Sequence, residues 1–112
     1  MPDRLSILVP AYNERRTIGA VLDRLVAIDL PIPREIIVVD DGSTDGTRDV
    51  LEDARKRLPG VQAVYTPKNR GKGYSIRAGL SKATGTIVAI QDADLELDPA
   101  QLADLVGPIL EL

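Results

Sequence analysis

The chain has 112 residues, 44% hydrophobic and 28% charged, enough apolar surface for one core and too much for a disordered segment. Its net charge of -3 speaks against a nucleic-acid partner, which requires a basic face to neutralise phosphates. Cys and His are both absent, which excludes zinc sites, disulfides, thiol nucleophiles and Ser-His-Asp triads together.

Residues 5–10 form a short apolar run that reads as a buried strand. Ile18, Val21, Leu22, Leu25 and Val26 follow at helical spacing, with Asn13 available as N-cap and Pro31 and Pro33 ending the segment. Residues 35–40 (EIIVVD) are continuous and β-branched, the pattern of a parallel strand covered on both faces. A second helix carries Val50, Leu51, Ala54 and Leu58 and stops at Pro59-Gly60. Residues 61–66 make a third strand, and a short helix with Ile76, Leu80 and Ala83 leads to a fourth, residues 86–91. A last helix is expected after Asp98 and Pro99. Strict alternation implies right-handed βαβ crossovers, hence an α/β unit with a parallel sheet of about four strands flanked by helices. No signal peptide precedes the first strand, and no run approaches the roughly 18 apolar residues of a membrane span, so a cytoplasmic chain is expected.

Polar clusters follow all four strands, at residues 10–14, 40–46, 68–73 and 92–96. In an open parallel sheet these share the carboxyl edge, where ligands bind near the reversal of strand order. Asp92-Ala93-Asp94 is the sharpest of them: residues two apart in an extended segment point the same way, so both carboxylates can reach one cation. Hard oxygen ligands suit Mg²⁺ or Mn²⁺, and Glu96 repeats the spacing as a possible third ligand. The plainer alternative is a solvated acidic turn.

The loop Asp40-Asp41-Gly42-Ser43-Thr44-Asp45-Gly46 offers an Asp carboxylate to a nucleotide base edge, or helix caps at Ser43, Thr44 or Asp45. Capping leaves the Asp40–Asp41 pair unexplained, because adjacent acids repel unless something offsets them. An EF-hand register also exists from Asp41 to Glu52, but a β-branched strand stands where its incoming helix belongs. Asn69-Arg70-Gly71-Lys72-Gly73 opens the third helix with free N–H groups and two cations, either a diphosphate contact or a surface turn. Tyr12 and Glu14 stand where they can line a base or ribose pocket.

Together, the segments 9–14 (VPAYNE), 39–47 (VDDGSTDGT), 69–73 (NRGKG) and 92–95 (DADL) resemble family 2 glycosyltransferases of the GT-A fold, nearest the dolichyl- or polyprenyl-phosphate mannose synthase-like branch. The resemblance covers the Rossmann-like, nucleotide-binding first half of such a domain, residues 1–112. It implies that Pro10, Tyr12, Glu14, Val39 and Asp41 hold the nucleoside of a UDP- or GDP-sugar, and Ala11 and Lys72 are counted with them among the residues expected to bind the sugar nucleotide. Asp92, Ala93 and Asp94 would meet the diphosphate, the two acids through Mg²⁺ or Mn²⁺. Glu96 stands where that branch often has Gln. The general base and acceptor-binding half are expected beyond Leu112. The implied reaction is inverting sugar transfer, plausibly to a polyprenyl or dolichyl phosphate at the cytoplasmic face of a membrane. A nucleotide-sugar-binding module without turnover is the alternative. A phosphoacceptor signalling domain ranks lower, because the acid pair follows the second strand rather than the first. Self-association through an uncovered sheet edge is also expected.

Overall fold

The structure, a computed structural model, describes residues 3–94. Its elements alternate as the apolar runs require: β1 (Leu5–Ala11), α1 (Ile18–Ala27), β2 (Arg34–Asp40), α2 (Thr47–Arg57), β3 (Val61–Tyr65), α3 (Lys72–Leu80) and β4 (Ile87–Ile90). All pairings are parallel, in the order β3-β2-β1-β4. The expected last helix, with Asp98 and Glu96, lies outside the described residues.

Side-chain alternation sorts the strands between two layers. Leu5, Ile7, Val9 and Ala11 of β1 join Ile36 and Val38 of β2 in one core with Ile18, Val21, Leu22 and Leu25 of α1 and Leu51 and Ala54 of α2. The other face takes α3, whose Gly79 approaches Leu8 and Val39 so closely that an added Cβ would sit 3.2 Å from Leu8 Cδ2. The chain steps outward from β1 to β3 with its helices on one face, then returns past β1 to β4 with its helix on the other. Right-handed crossovers impose that exchange of faces when the direction reverses. The reversal lies between β2 and β4, with β1 at its centre. Among the described strands β3 and β4 form the two edges; in β4, Ile87 and Ala89 pack on the core, while Val88 and Ile90 remain 43% and 47% exposed on the side facing α3.

Helix starts differ from the expected ones. Asn13 is not the N-cap of α1, which is Thr17. Asn13 stands earlier, at φ 53, with its Oδ1 accepting the Thr44 N–H at 2.8 Å and its own N–H donating to Ser43 Oγ at 2.9 Å. The two loops clasp each other, so Ser43 and Thr44 do not cap α2. Gly46 occupies that N-cap with φ 97, and Asp45 Oδ1 accepts the next N–H, from Thr47, at 3.0 Å.

At the opposite, amino edge of the sheet Glu35 is 2% exposed, a buried acid at the start of a strand whose centre, residues 36–39, is aliphatic. Its Oε2 accepts Ser6 Oγ at 2.6 Å, the Thr84 N–H at 2.6 Å and Thr84 Oγ1 at 2.9 Å; its Oε1 accepts Gln62 Nε2 at 3.2 Å. One carboxylate thereby ties β1, β2, β3 and the turn before β4. Burial pushes its pKa up, but the bonds from Ser6 and Thr84 and the charge of Arg4 outweigh burial and hold it below the ordinary value.

Candidate functional site

The carboxyl edge carries a cleft lined by Pro10, Ala11, Tyr12 and Glu14 after β1, Asp41 after β2, Asn69, Gly71, Lys72 and Ser75 around the start of α3, and Asp92, Ala93 and Asp94 after β4. Loops distant in sequence converge because parallel strands all end on one side. Glu96 falls outside the described residues. Val39 is 1% exposed and fills the space beneath Gly79, below the cleft rather than on its surface.

The Asp40–Asp41 pair is resolved by backbone donors. Asp40 Oδ1 accepts the Ser43 N–H at 3.3 Å. Asp41, 4% exposed, accepts the Arg70 N–H at 2.9 Å and Thr66 Oγ1 at 3.0 Å on Oδ1, and the Gly71 N–H at 2.7 Å on Oδ2. These bonds fold the 68–71 loop back over the end of β2 and so place Lys72. Gly42 makes the close approach possible: at φ +74, a Cβ there would lie 2.5 Å from the Asn69 nitrogen. A carboxylate has about four lone-pair sites, so Asp41 keeps one for a ligand. The calcium-loop register lacks its incoming helix, since Asp41 is preceded by the strand β2.

Lys72 Nζ lies 2.7 Å from Asp92 Oδ1, so the expected diphosphate contact and the expected metal ligand meet directly. The segment bearing Asp92 and Asp94 is pinned from the far side by Thr17 Oγ1, which donates to the Ala93 carbonyl at 2.8 Å. Glu14 is fixed likewise, its N–H donating to Thr47 Oγ1 at 3.0 Å. Tyr12 is 45% exposed at the cleft mouth. Sequence reasoning missed Thr17 and Ser75. Thr17 had no local signal, and the spacing of Ile76, Leu80 and Ala83 pointed away from Ser75: the structure buries Ser75 and Gly79 of α3 and leaves Leu80 46% exposed.

Charge decides what can enter. Glu14, Asp41, Asp92 and Asp94 face the cleft against the single ammonium of Lys72. An anionic diphosphate is repelled by such a wall unless a cation accompanies it. The donor set, carboxylate oxygens with no nitrogen or sulfur ligand, fits a hard divalent ion. Among the described residues no group of three or more His, Cys, Asp or Glu side chains converges on one point.

Comparisons with known proteins agree with this arrangement. The family model described as Glycosyl transferase family 2 matches residues 6–112. The undecaprenyl-phosphate 4-deoxy-4-formamido-L-arabinose transferase of Serratia proteamaculans is 39% identical over 107 residues, covering 92% of this chain and 32% of the relative. A mannosyltransferase of Pyrobaculum calidifontis, solved in complex with GDP-Man and Mn²⁺, superimposes with a TM-score of 0.83 at 35% identity, over 95% of this chain and 32% of that one. TarS of S. aureus in complex with UDP-GlcNAc gives 0.82 at 32% identity, over 96% and 31%. The chain therefore spans about a third of the length of these relatives. Its sheet and helices are the Rossmann-like half of a GT-A domain. By sequence match and by fold, the chain belongs to glycosyl transferase family 2.

Proposed function

We propose that this chain is the donor-binding part of an inverting glycosyltransferase that moves a sugar from a UDP- or GDP-sugar to a polyprenyl phosphate. The observation that carries the reading is the cleft itself, which Asp41, Lys72, Asp92 and Asp94 line together, with Lys72 Nζ against Asp92 Oδ1. Pro10, Ala11, Tyr12, Glu14 and Asp41 would hold the nucleoside; Lys72 and Ala93 would lie along the diphosphate. The complexes of related structures with GDP-Man and UDP-GlcNAc support a sugar nucleotide as occupant and leave the base open.

Asp92 and Asp94, with Glu96 as a further ligand, would hold Mn²⁺ or Mg²⁺, which when bound stabilises negative charge on the departing diphosphate. The protein's own contribution is orientation. Lys72 adds a second positive charge, and the Thr17 anchor on the Ala93 carbonyl keeps both aspartates on the cleft side. In the transfer, an acceptor phosphate oxygen attacks the anomeric carbon. The bond from that carbon to the diphosphate breaks with its electron pair, and configuration inverts. A phosphate monoester is largely ionised near neutral pH (second pKa about 6), so this nucleophile needs less help from a general base than an alcohol does. The undecaprenyl-phosphate relative supports a lipid acceptor, and the reaction would then run at a membrane surface, at its cytoplasmic face in this reading. Among the described residues no helix is long and apolar enough to cross one. The exposed Val88–Ile90 edge supports self-association of the chain, which light scattering would test.

Calorimetric titration with UDP, GDP and their sugars, with and without Mn²⁺, tests the binding claim. Transfer of labelled sugar to polyprenyl phosphate tests turnover. Metal-dependent binding without transfer would favour a binding module, and absence of all nucleotide binding would overturn the proposal.

A further inference from the structure

α3 has two buried positions, Ser75 and Gly79, one helical turn apart. Gly79 lies against Leu8 of β1 and Val39 of β2, on the sheet face that α3 covers. Residues four apart share a helix face, so Ser75, on the N-terminal side, sits over the ends of those strands, where Pro10 and Asp41 enter the cleft. Ser75 is 1% exposed and lines the same cleft. Its Oγ has no hydrogen-bond partner among the described residues. Three hydroxyls of the surrounding loops, by contrast, are engaged: Thr17 with the Ala93 carbonyl, Thr66 with Asp41 and Ser43 with the Asn13 N–H.

A buried polar group without a partner weakens the free protein, and native structures seldom retain one unless something else satisfies it. Alanine would fit the same close packing at no such cost. We infer that the Ser75 hydroxyl is a specificity contact for the nucleoside end of the donor, pairing with a ribose hydroxyl or a base-edge oxygen or nitrogen. This rests on the proposed sugar-nucleotide site and adds a residue to it. A hydroxyl both donates and accepts, so the contact suits either UDP or GDP. Its place over the ends of β1 and β2, where Pro10 and Asp41 enter the cleft, assigns it to the nucleoside rather than to the diphosphate.

The test is calorimetric titration of wild type, Ser75→Ala and Ser75→Cys with UDP, GDP and inorganic pyrophosphate in Mn²⁺, beside thermal melts of the free proteins. Ser75→Ala is expected to weaken the nucleoside diphosphates by about tenfold, equivalent to one lost hydrogen bond. Pyrophosphate affinity is expected to stay at the wild-type value, and the melting temperature of the free variant to stay level or rise. Ser75→Cys keeps the volume with a weaker donor and should fall in between. Unchanged nucleotide affinity in Ser75→Ala overturns the inference. Equal weakening of pyrophosphate overturns the assignment to the nucleoside. Failure of the wild-type chain to bind any nucleotide overturns the underlying functional reading and this contact with it.

Discussion

Asp41→Asn isolates the loop-folding role of that carboxylate, because the change is nearly isosteric. The amide oxygen can replace Oδ1 and keep Thr66 Oγ1 at 3.0 Å and the Arg70 N–H at 2.9 Å. The amide nitrogen then points at the Gly71 N–H, which now donates to Oδ2 at 2.7 Å, so two donors oppose each other. Flipping the amide saves that bond and loses the other two. Leaving a buried donor unpaired costs about 1–3 kcal/mol, and removing charge assistance from the surviving bonds adds to it. A total of about 2–4 kcal/mol follows for a group 4% exposed, which for a domain near this size lowers Tm by roughly 10–20 °C. Far-UV circular dichroism melts measure it, with Thr66→Val as the comparison that removes one hydroxyl donor, shared between Asp41 Oδ1 and the Lys68 carbonyl at 3.0 Å each and worth about 1 kcal/mol. A Tm within about 3 °C of wild type would refute the claim that Asp41 organises the loop.

Glu35→Gln should flatten the acid limb of stability. The wild-type carboxyl has a folded pKa below its unfolded value, so its contribution is complete above the ordinary Glu pKa of about 4.3 and is lost as pH falls through the depressed folded value. Urea midpoints at pH 6 and pH 3 measure this, and an equal loss in wild type and variant would contradict it. Gly42→Ala must place a Cβ at φ +74 and 2.5 Å from the Asn69 nitrogen; a loss above about 2 kcal/mol is expected, and wild-type stability would refute the loop geometry. Lys72→Ala releases Asp92 from a pair whose side chains are 60% and 38% exposed. Such pairs are worth at most about 1 kcal/mol, so Mn²⁺ affinity of the nucleotide-free chain should rise by no more than about fivefold while UDP and GDP affinity falls. Weaker Mn²⁺ binding would contradict that competition.

Much of this was readable in the amino acids. β1 and β2 are aliphatic runs that could only be buried, and alternation with helices fixed a parallel sheet. The Asp40–Asp41 pair even announced that something must offset it. What offsets it was not readable: the donors come from Arg70 and Gly71, about 30 positions away, and depend on strand order. The Thr17–Ala93 bond spans 76 positions for the same reason. Asn13 misled because capping propensity is local, whereas the loop after β1 spends its polar groups on the loop after β2. Glu35 was hidden inside a strand pattern, since no local rule marks a buried acid whose four donors come from three other segments.

The central claim is that cation and sugar nucleotide share the two aspartates beyond β4. It is tested by the difference in UDP and GDP affinity with and without Mn²⁺, in wild type and in the double variant Asp92→Asn, Asp94→Asn. The account predicts that Mn²⁺ tightens binding in wild type and has no effect in the variant, whose melting temperature stays near that of wild type. A variant that retains the full response to Mn²⁺ would contradict it.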